Sequence, residues 1–113
     1  MREWLENNNI SFIPQYRFYD CRTTVPLPFD FYLNELNILI EYDGAGHYIP
    51  IRRGQMTYSD AVAALEQTQK RDTIKTDYCN ANNIQLIRIP YWDFDNIEII
   101  LTNKLLNLHE DIV

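Results

Sequence analysis

The stretch LPFDFYLNELNILIEYDGAGH, from Leu27 to His47, contains two runs rich in aromatic and β-branched residues joined by the polar link NELN. Such a pair reads as a β-hairpin. If Leu33 faces Ile38 across the link, then Phe31 faces Ile40, Phe29 faces Tyr42, and Asp30 faces Glu41. Side chains alternate along a strand, so Phe29, Phe31, Leu33, Ile38, Ile40 and Tyr42 are expected on one face, toward the core. The other face receives Asp30, Tyr32, Leu39, Glu41 and Asp43.

That second face poses a conflict. Two carboxylates directly opposite one another stand roughly 5 Å apart at Cβ and repel. Asp43 follows Glu41 on the same side, roughly 7 Å further along. Three arrangements relieve the strain. A divalent cation with a preference for oxygen ligands, Mg²⁺ or Mn²⁺, can sit among the acids. Two carboxyls can share a proton, one of them with a raised pKa. Or the face is solvated and its acids pair with Arg or Lys across the sheet.

Outward from the hairpin, residues 2–9 (REWLENNN) read as the tail of a helix, anchored by Trp4 and Leu5 and stopped by the Asn run. SFIPQYRF (11–18) reads as a strand, and Pro14 puts it at a sheet edge. Residues 19–26 read as a loop. Beyond the hairpin, GAGHYIPIRRGQMT is irregular, with glycines free to take unusual backbone angles. Thr57 or Ser59 then caps a helix from about Ser59 to Asn80, with Val62, Leu65, Ile74 and Tyr78 on its apolar face. IQLIRIPY (84–91) is a strand stopped by Pro90, and a last helix is expected over 95–106. The order α-β-β-β-α-β-α predicts a small α/β domain with a mixed sheet flanked by helices.

At 113 residues the chain has room for one core. It has no apolar run near the length a membrane span needs, and its first residues have no signal-peptide pattern, so an intracellular protein without membrane partners is expected. Cys21 and Cys79 are too far apart in sequence for a zinc site and are expected as buried free thiols. The net charge is −6, whereas proteins that neutralise a nucleic-acid backbone are usually basic. A local basic groove resolves this. Arg17, Arg22, Arg52, Arg53, Lys70, Arg71 and Lys75 flank the acidic stretch in sequence, and a metal would offset part of the acid cluster.

Gln69, Asp72 and Lys75 recur every third residue and share one stripe of the long helix. A helix crossing the sheet can bring Lys75 to the carboxylates, where its charge would stabilise a developing phosphorane. The alternative is a surface Asp–Lys pair worth a few tenths of a kcal/mol. His47, four residues past Asp43, is a candidate ligand or general base, because histidine exchanges its proton near neutrality. His109, in a polar tail, is given no role.

The blocks FIPQYRFYDCR, LPFDFYLNELNILIEYDGAGHY, DTIKTDYC and IQLIRIPYWD, in that order, resemble the PD-(D/E)XK nuclease superfamily. The closest resemblance is to small endonuclease-like proteins of phages and mobile elements, related to very-short-patch-repair nucleases. It covers about Ile10 to Leu106. It implies a restriction-endonuclease-like core in which Asp30 and Glu41 hold Mg²⁺, or Mn²⁺ in its place. The superfamily lysine normally sits two residues after that Glu, where this chain has Asp43, and Lys75 is the matching substitute. Gln15 matches a polar position at the site's edge. The chain departs from the pattern at Gly46, where relatives carry Gln. It also lacks their Gly-Glu pair early in the first helix.

The implied chemistry is metal-assisted attack of water on a DNA phosphodiester, leaving a 5′-phosphate and a 3′-hydroxyl. Asp30 and Glu41 would be ligands, Asp43 a further ligand or water-positioner, and Lys75 and His47 would assist. Gln15, Arg17, Arg52, Arg53, Arg71 and Asp72 would contact the substrate. So small a domain would dimerise or borrow a partner protein for targeting. Two other functions compete. One is a catalytically silent descendant that binds nucleic acid or protein, and the other is an inhibitor presenting an acidic, DNA-like surface.

Overall fold

The computed structural model describes residues 1–106, and His109 falls outside them. A four-stranded mixed sheet in the order β1-β2-β3-β4 is flanked by helices. The chain runs α1 (Arg2–Asn7), β1 (Ile13–Arg22), β2 (Pro26–Leu33), β3 (Ile38–Asp43), α2 (Tyr58–Ala81), β4 (Gln85–Pro90) and α3 (Ile97–Leu101). Strands β1, β2 and β3 pair antiparallel, and β4 joins β3 in parallel after the α2 crossover. Among the described residues no helix is long and apolar enough to cross a membrane.

The hairpin register is the expected one, with Leu33 opposite Ile38 and Phe31 opposite Ile40. The link closes through Asn37, which takes a left-handed φ of 55° that asparagine tolerates, and the Tyr32 hydroxyl donates to its side-chain oxygen at 2.8 Å. The pairing then stops short of the acids. Instead of a ladder bond, the Asp30 N–H donates to Glu41 Oε1 at 2.8 Å, and the Tyr42 N–H donates to Asp30 Oδ2 at 2.7 Å.

This exchange corrects one expectation. Phe29 does not share a face with Phe31 and Leu33. Carboxylates replace carbonyls as acceptors at Asp30, the strand alternation breaks there, and Phe29 is buried on the opposite side. Two core clusters result. Leu33, Ile38, Ile40, Ile87 and Ile89 pack with Leu5 of α1, Leu101 of α3 and the buried Leu105 beyond it. On the other face Phe29, Leu39, Cys21, Cys79 and Ile84 pack with Ile74 and Tyr78 of α2. Both cysteines are buried free thiols, as expected.

Two boundaries also differ. The segment 19–26, expected as a loop, is mostly strand: β1 continues to Arg22, with a register shift between Arg17 and Arg22, and only three residues turn the chain into β2. Pro14 sits in β1 at the sheet edge, where its missing N–H costs no ladder bond. The last helix, expected over 95–106, is a 3₁₀ turn at Tyr91–Asn96, the five residues of α3, and a π turn at Thr102–Leu106.

Helix α2 begins at Thr57 with a capping box: the Asp60 N–H donates to Thr57 Oγ1 at 3.1 Å, and the Thr57 N–H to Asp60 Oδ2 at 3.2 Å. Val62, Leu65, Ile74 and Tyr78 are only partly buried. The fully buried positions are Ala61, Lys75 and Cys79, so this helix covers the sheet with small residues and one charge. Thr57→Ala is therefore expected to cost about 1 kcal/mol of stability, read as a lower urea midpoint at unchanged slope.

Candidate active site

The site lies on the α2 face of β3, where Leu39, Glu41 and Asp43 project by strand alternation. Glu41 and Asp43 are 3% and 2% exposed, Lys75 only 8%. Lys75 Nζ donates to Glu41 Oε2 at 2.9 Å, and it stands over the Phe29 ring, 5.1 Å from the centroid. The face switch of Phe29 thus supplies the floor beneath this ammonium. The other Glu41 oxygen takes the Asp30 N–H. Burial pushes the Glu41 carboxyl above its ordinary value; the Lys75 charge pulls it down without cancelling that cost, and the nearby Asp30 carboxylate adds repulsion.

The stripe Gln69–Asp72–Lys75 meets β3 and its continuation at all three residues. Gln69 Nε2 donates to the His47 carbonyl at 3.4 Å, Asp72 Oδ2 lies 2.7 Å from His47 Nδ1, and Lys75 holds Glu41. His47 ends a 3₁₀ turn, Ala45–His47, that directly follows β3. With Nδ1 engaged by Asp72, its Nε2 is the ring nitrogen left for other partners.

Asp43 joins a separate network. Arg88 Nη1 donates to both Asp43 oxygens at 3.1 Å, while Arg88 Nη2 donates to the Asp72 carbonyl at 2.9 Å and to Thr76 Oγ1 at 3.2 Å. Asp30, Glu41 and Asp43 therefore do not converge as one ligand set. Arg88 clasps Asp43 and draws it toward His47, whose Nδ1 is 3.7 Å from Asp43 Oδ1. Among the described residues, the three-residue group close enough to share an ion is Asp43, His47 and Asp72, with ligand atoms within 4.8 Å of one another. The Arg88 guanidinium already supplies a positive charge there.

The expected substrate contacts are scattered. Arg53 reaches back to Gly46 and, with His47, Ile49 and Ile51, lines a cavity of about 520 Å³ against Ala61, Ala64 and Leu65 of α2. Arg52 Nε donates to the Met56 carbonyl at 3.2 Å, and Arg17 turns to the Pro26 carbonyl. Gln15 takes a left-handed φ of 51° in β1 and is exposed, as is Arg71. Among the described residues none of these five bonds or ion-pairs with the site acids.

Arg88 is the residue that reasoning from sequence missed. The signal was present: a charge at the centre of the apolar run IQLIRIP needs a partner in a packed sheet.

No protein-family description matches the chain, and no solved structure matches it. The chain is similar to Uncharacterized protein 307L of Invertebrate iridescent virus 6, with 38% identity over 79 residues. The matched region takes in 70% of this chain but 38% of the viral protein, so the chain spans well under half of that relative's length.

Proposed function

We propose that the protein is a metal-dependent DNA endonuclease or nickase of PD-(D/E)XK type, with a restriction-endonuclease-like core. The observation that carries this reading is the buried Lys75–Glu41 contact at 2.9 Å beside Asp30. A helix lysine, a strand glutamate and a preceding strand aspartate meet at one place, an arrangement that suits metal-assisted phosphodiester hydrolysis.

The donor set fits Mg²⁺ or Mn²⁺. Its ligand atoms are oxygens, Asp30 Oδ1 has no hydrogen bond among those of the described residues, and each Glu41 oxygen accepts only one. Asp30 and Glu41 would hold the ion, and Asp30, only partly buried, opens the site to solvent. Once bound, the ion supplies Lewis acidity to the phosphate and lowers the pKa of a coordinated water. Lys75, held at Glu41, would supply positive charge to offset the negative charge that builds on the phosphate. His47 is oriented by Asp72 to hold or pass a proton at Nε2, and Asp43 holds Arg88 in place rather than entering the ligand set. Arg53, which approaches Gly46 beside His47, would contact the phosphate, and Arg17, Arg52, Arg71 and Gln15 would serve at the site's margin.

A second reading has an observation of its own. Each buried acid already has a basic partner, Lys75 for Glu41 and Arg88 for Asp43. A catalytically silent binding module would keep that arrangement for stability alone. Incubation of supercoiled plasmid with Mg²⁺, Mn²⁺ or EDTA separates the two. The nuclease nicks or linearises the plasmid only with metal, and Glu41→Ala abolishes the cut while DNA binding persists. No cleavage in either metal, with binding equal in wild type and Glu41→Ala, would leave the silent module.

A further inference from the structure

Large aromatic side chains crowd the surface beside this site. Tyr48 follows His47, and Tyr91 and Trp92 open the 3₁₀ turn after β4. Their rings touch one another, with centroids 4.7 Å apart for Tyr48–Trp92, 5.3 Å for Tyr91–Trp92 and 5.8 Å for Tyr48–Tyr91. They are not a core: Trp92 is 61% exposed, and Tyr48 and Tyr91 are also exposed. Neither core cluster includes them.

Their position follows from topology. Strands β3 and β4 are parallel and end together, with Asp43 in register with Pro90. Segments leaving both strands therefore emerge side by side at their carboxyl ends, the edge where α/β sheets take ligands. One segment carries Asp43 to His47 and the other Tyr91 and Trp92. Tyr48 directly follows His47, so the aromatic group adjoins the acidic site in sequence as well as at the strand ends.

We propose that Tyr48, Tyr91 and Trp92 form a stacking shelf for the unpaired bases of a DNA strand, making single-stranded or locally opened DNA the preferred substrate class. This rests on the nuclease reading for its role in cleavage but not for binding. An exposed ring offers each base a π-face whatever its identity, and a paired, stacked base has no face to give. Charge points the same way. Arg52 and Arg53 lie a few residues past Tyr48 in sequence, and Arg53 folds back to Gly46, two residues before it, so a cationic group approaches the segment that carries Tyr48. The turn itself carries Asp93 and Asp95. One strand can run its phosphates along the arginine side alone, whereas a duplex presents a second row of phosphates that must avoid those acids.

The test is fluorescence anisotropy of a labelled oligothymidylate and of a blunt duplex of equal length, in EDTA so that nothing is cut. Wild type is expected to prefer the single strand. Trp92→Ala is expected to weaken that binding about tenfold, and Trp92→Phe to restore most of it. Circular dichroism should show both variants folded, since Trp92 packs in neither core cluster. Equal binding by wild type and Trp92→Ala, a preference for duplex, or no binding of the single strand would each overturn the shelf. So would self-association of wild type that Trp92→Ala abolishes, because the patch would then belong to a second copy of the chain. The two proposals fail separately. Binding without metal-dependent cleavage of either the plasmid or the single-stranded oligonucleotide removes the nuclease and keeps the shelf, while cleavage without single-strand preference does the reverse.

Discussion

Lys75→Met is expected to abolish metal-dependent cleavage and to destabilise the fold by about 3–5 kcal/mol near neutral pH, the range for removing one partner of a buried ion pair. Glu41 is 3% exposed, and its other contacts are the Asp30 N–H and a repelling carboxylate. Without the ammonium, an ionised Glu41 has no compensating charge. The loss should shrink as pH falls. Burial holds the Glu41 carboxyl above its ordinary value of 4.5, so the folded chain takes up this proton before the unfolded chain does. The stability it contributes is fully present below the unfolded value and is lost as pH rises through the folded one. Lys75→Met deepens that penalty on the alkaline side and leaves the acidic side nearly unchanged. Adding Glu41→Gln to Lys75→Met should recover most of the stability and none of the cleavage. Urea denaturation of both variants, at neutral and mildly acidic pH, checks these signs.

Arg88→Ala is expected to cost about 2–3 kcal/mol, less than Lys75→Met because its side chain is 24% exposed. One guanidinium ties three elements: β4, which carries it, Asp43 of β3, and the Asp72 carbonyl and Thr76 hydroxyl of α2. Its loss strands the Asp43 carboxylate, 2% exposed, with only the imidazole at 3.7 Å. Arg88→Lys should recover only part of the deficit, since a single ammonium lacks the planar fork that reaches Asp43 and the helix together. Any cleavage should weaken along with stability, because the same clasp positions Asp72 against His47. A thermal melt of the two variants against wild type measures the first effect, and plasmid cleavage the second.

Much of the hairpin was legible because alternation and a short link leave few registers, and Leu33 opposite Ile38 followed from that alone. Lys75 was legible too, since a three-residue stripe fixes which side chains share a helix face. What escaped was local hydrogen bonding. Nothing in the alternation of PFDFYL reveals that Asp30 will take the Tyr42 N–H, that Gln15 between the residues facing Phe31 and Phe29 takes a left-handed φ, or that Phe29 lies on the other face. The same limit hid the division of the acids. Strand spacing put Asp43 on Glu41's side, but the choice between a shared ion and Arg88 depended on a strand more than forty residues later. The segment after Pro90 escaped for a different reason. The apolar spacing of Ile97, Ile100, Leu101 and Leu105 reads as one helix over 95–106, yet regular α-helix is confined to Ile97–Leu101, with Leu101 and Leu105 packed on the sheet and Trp92 and Phe94 exposed before it.

The central claim is that Asp30 and Glu41, not the Asp43–His47–Asp72 group, take the divalent ion. Titration of the protein with Mn²⁺, followed by the electron paramagnetic resonance signal of the free ion, tests it in wild type, Asp30→Asn and Asp72→Asn. A bound ion is expected in wild type, lost in Asp30→Asn and kept in Asp72→Asn. Binding that survives Asp30→Asn and is lost in Asp72→Asn would contradict it, placing the metal between His47 and Asp43 instead.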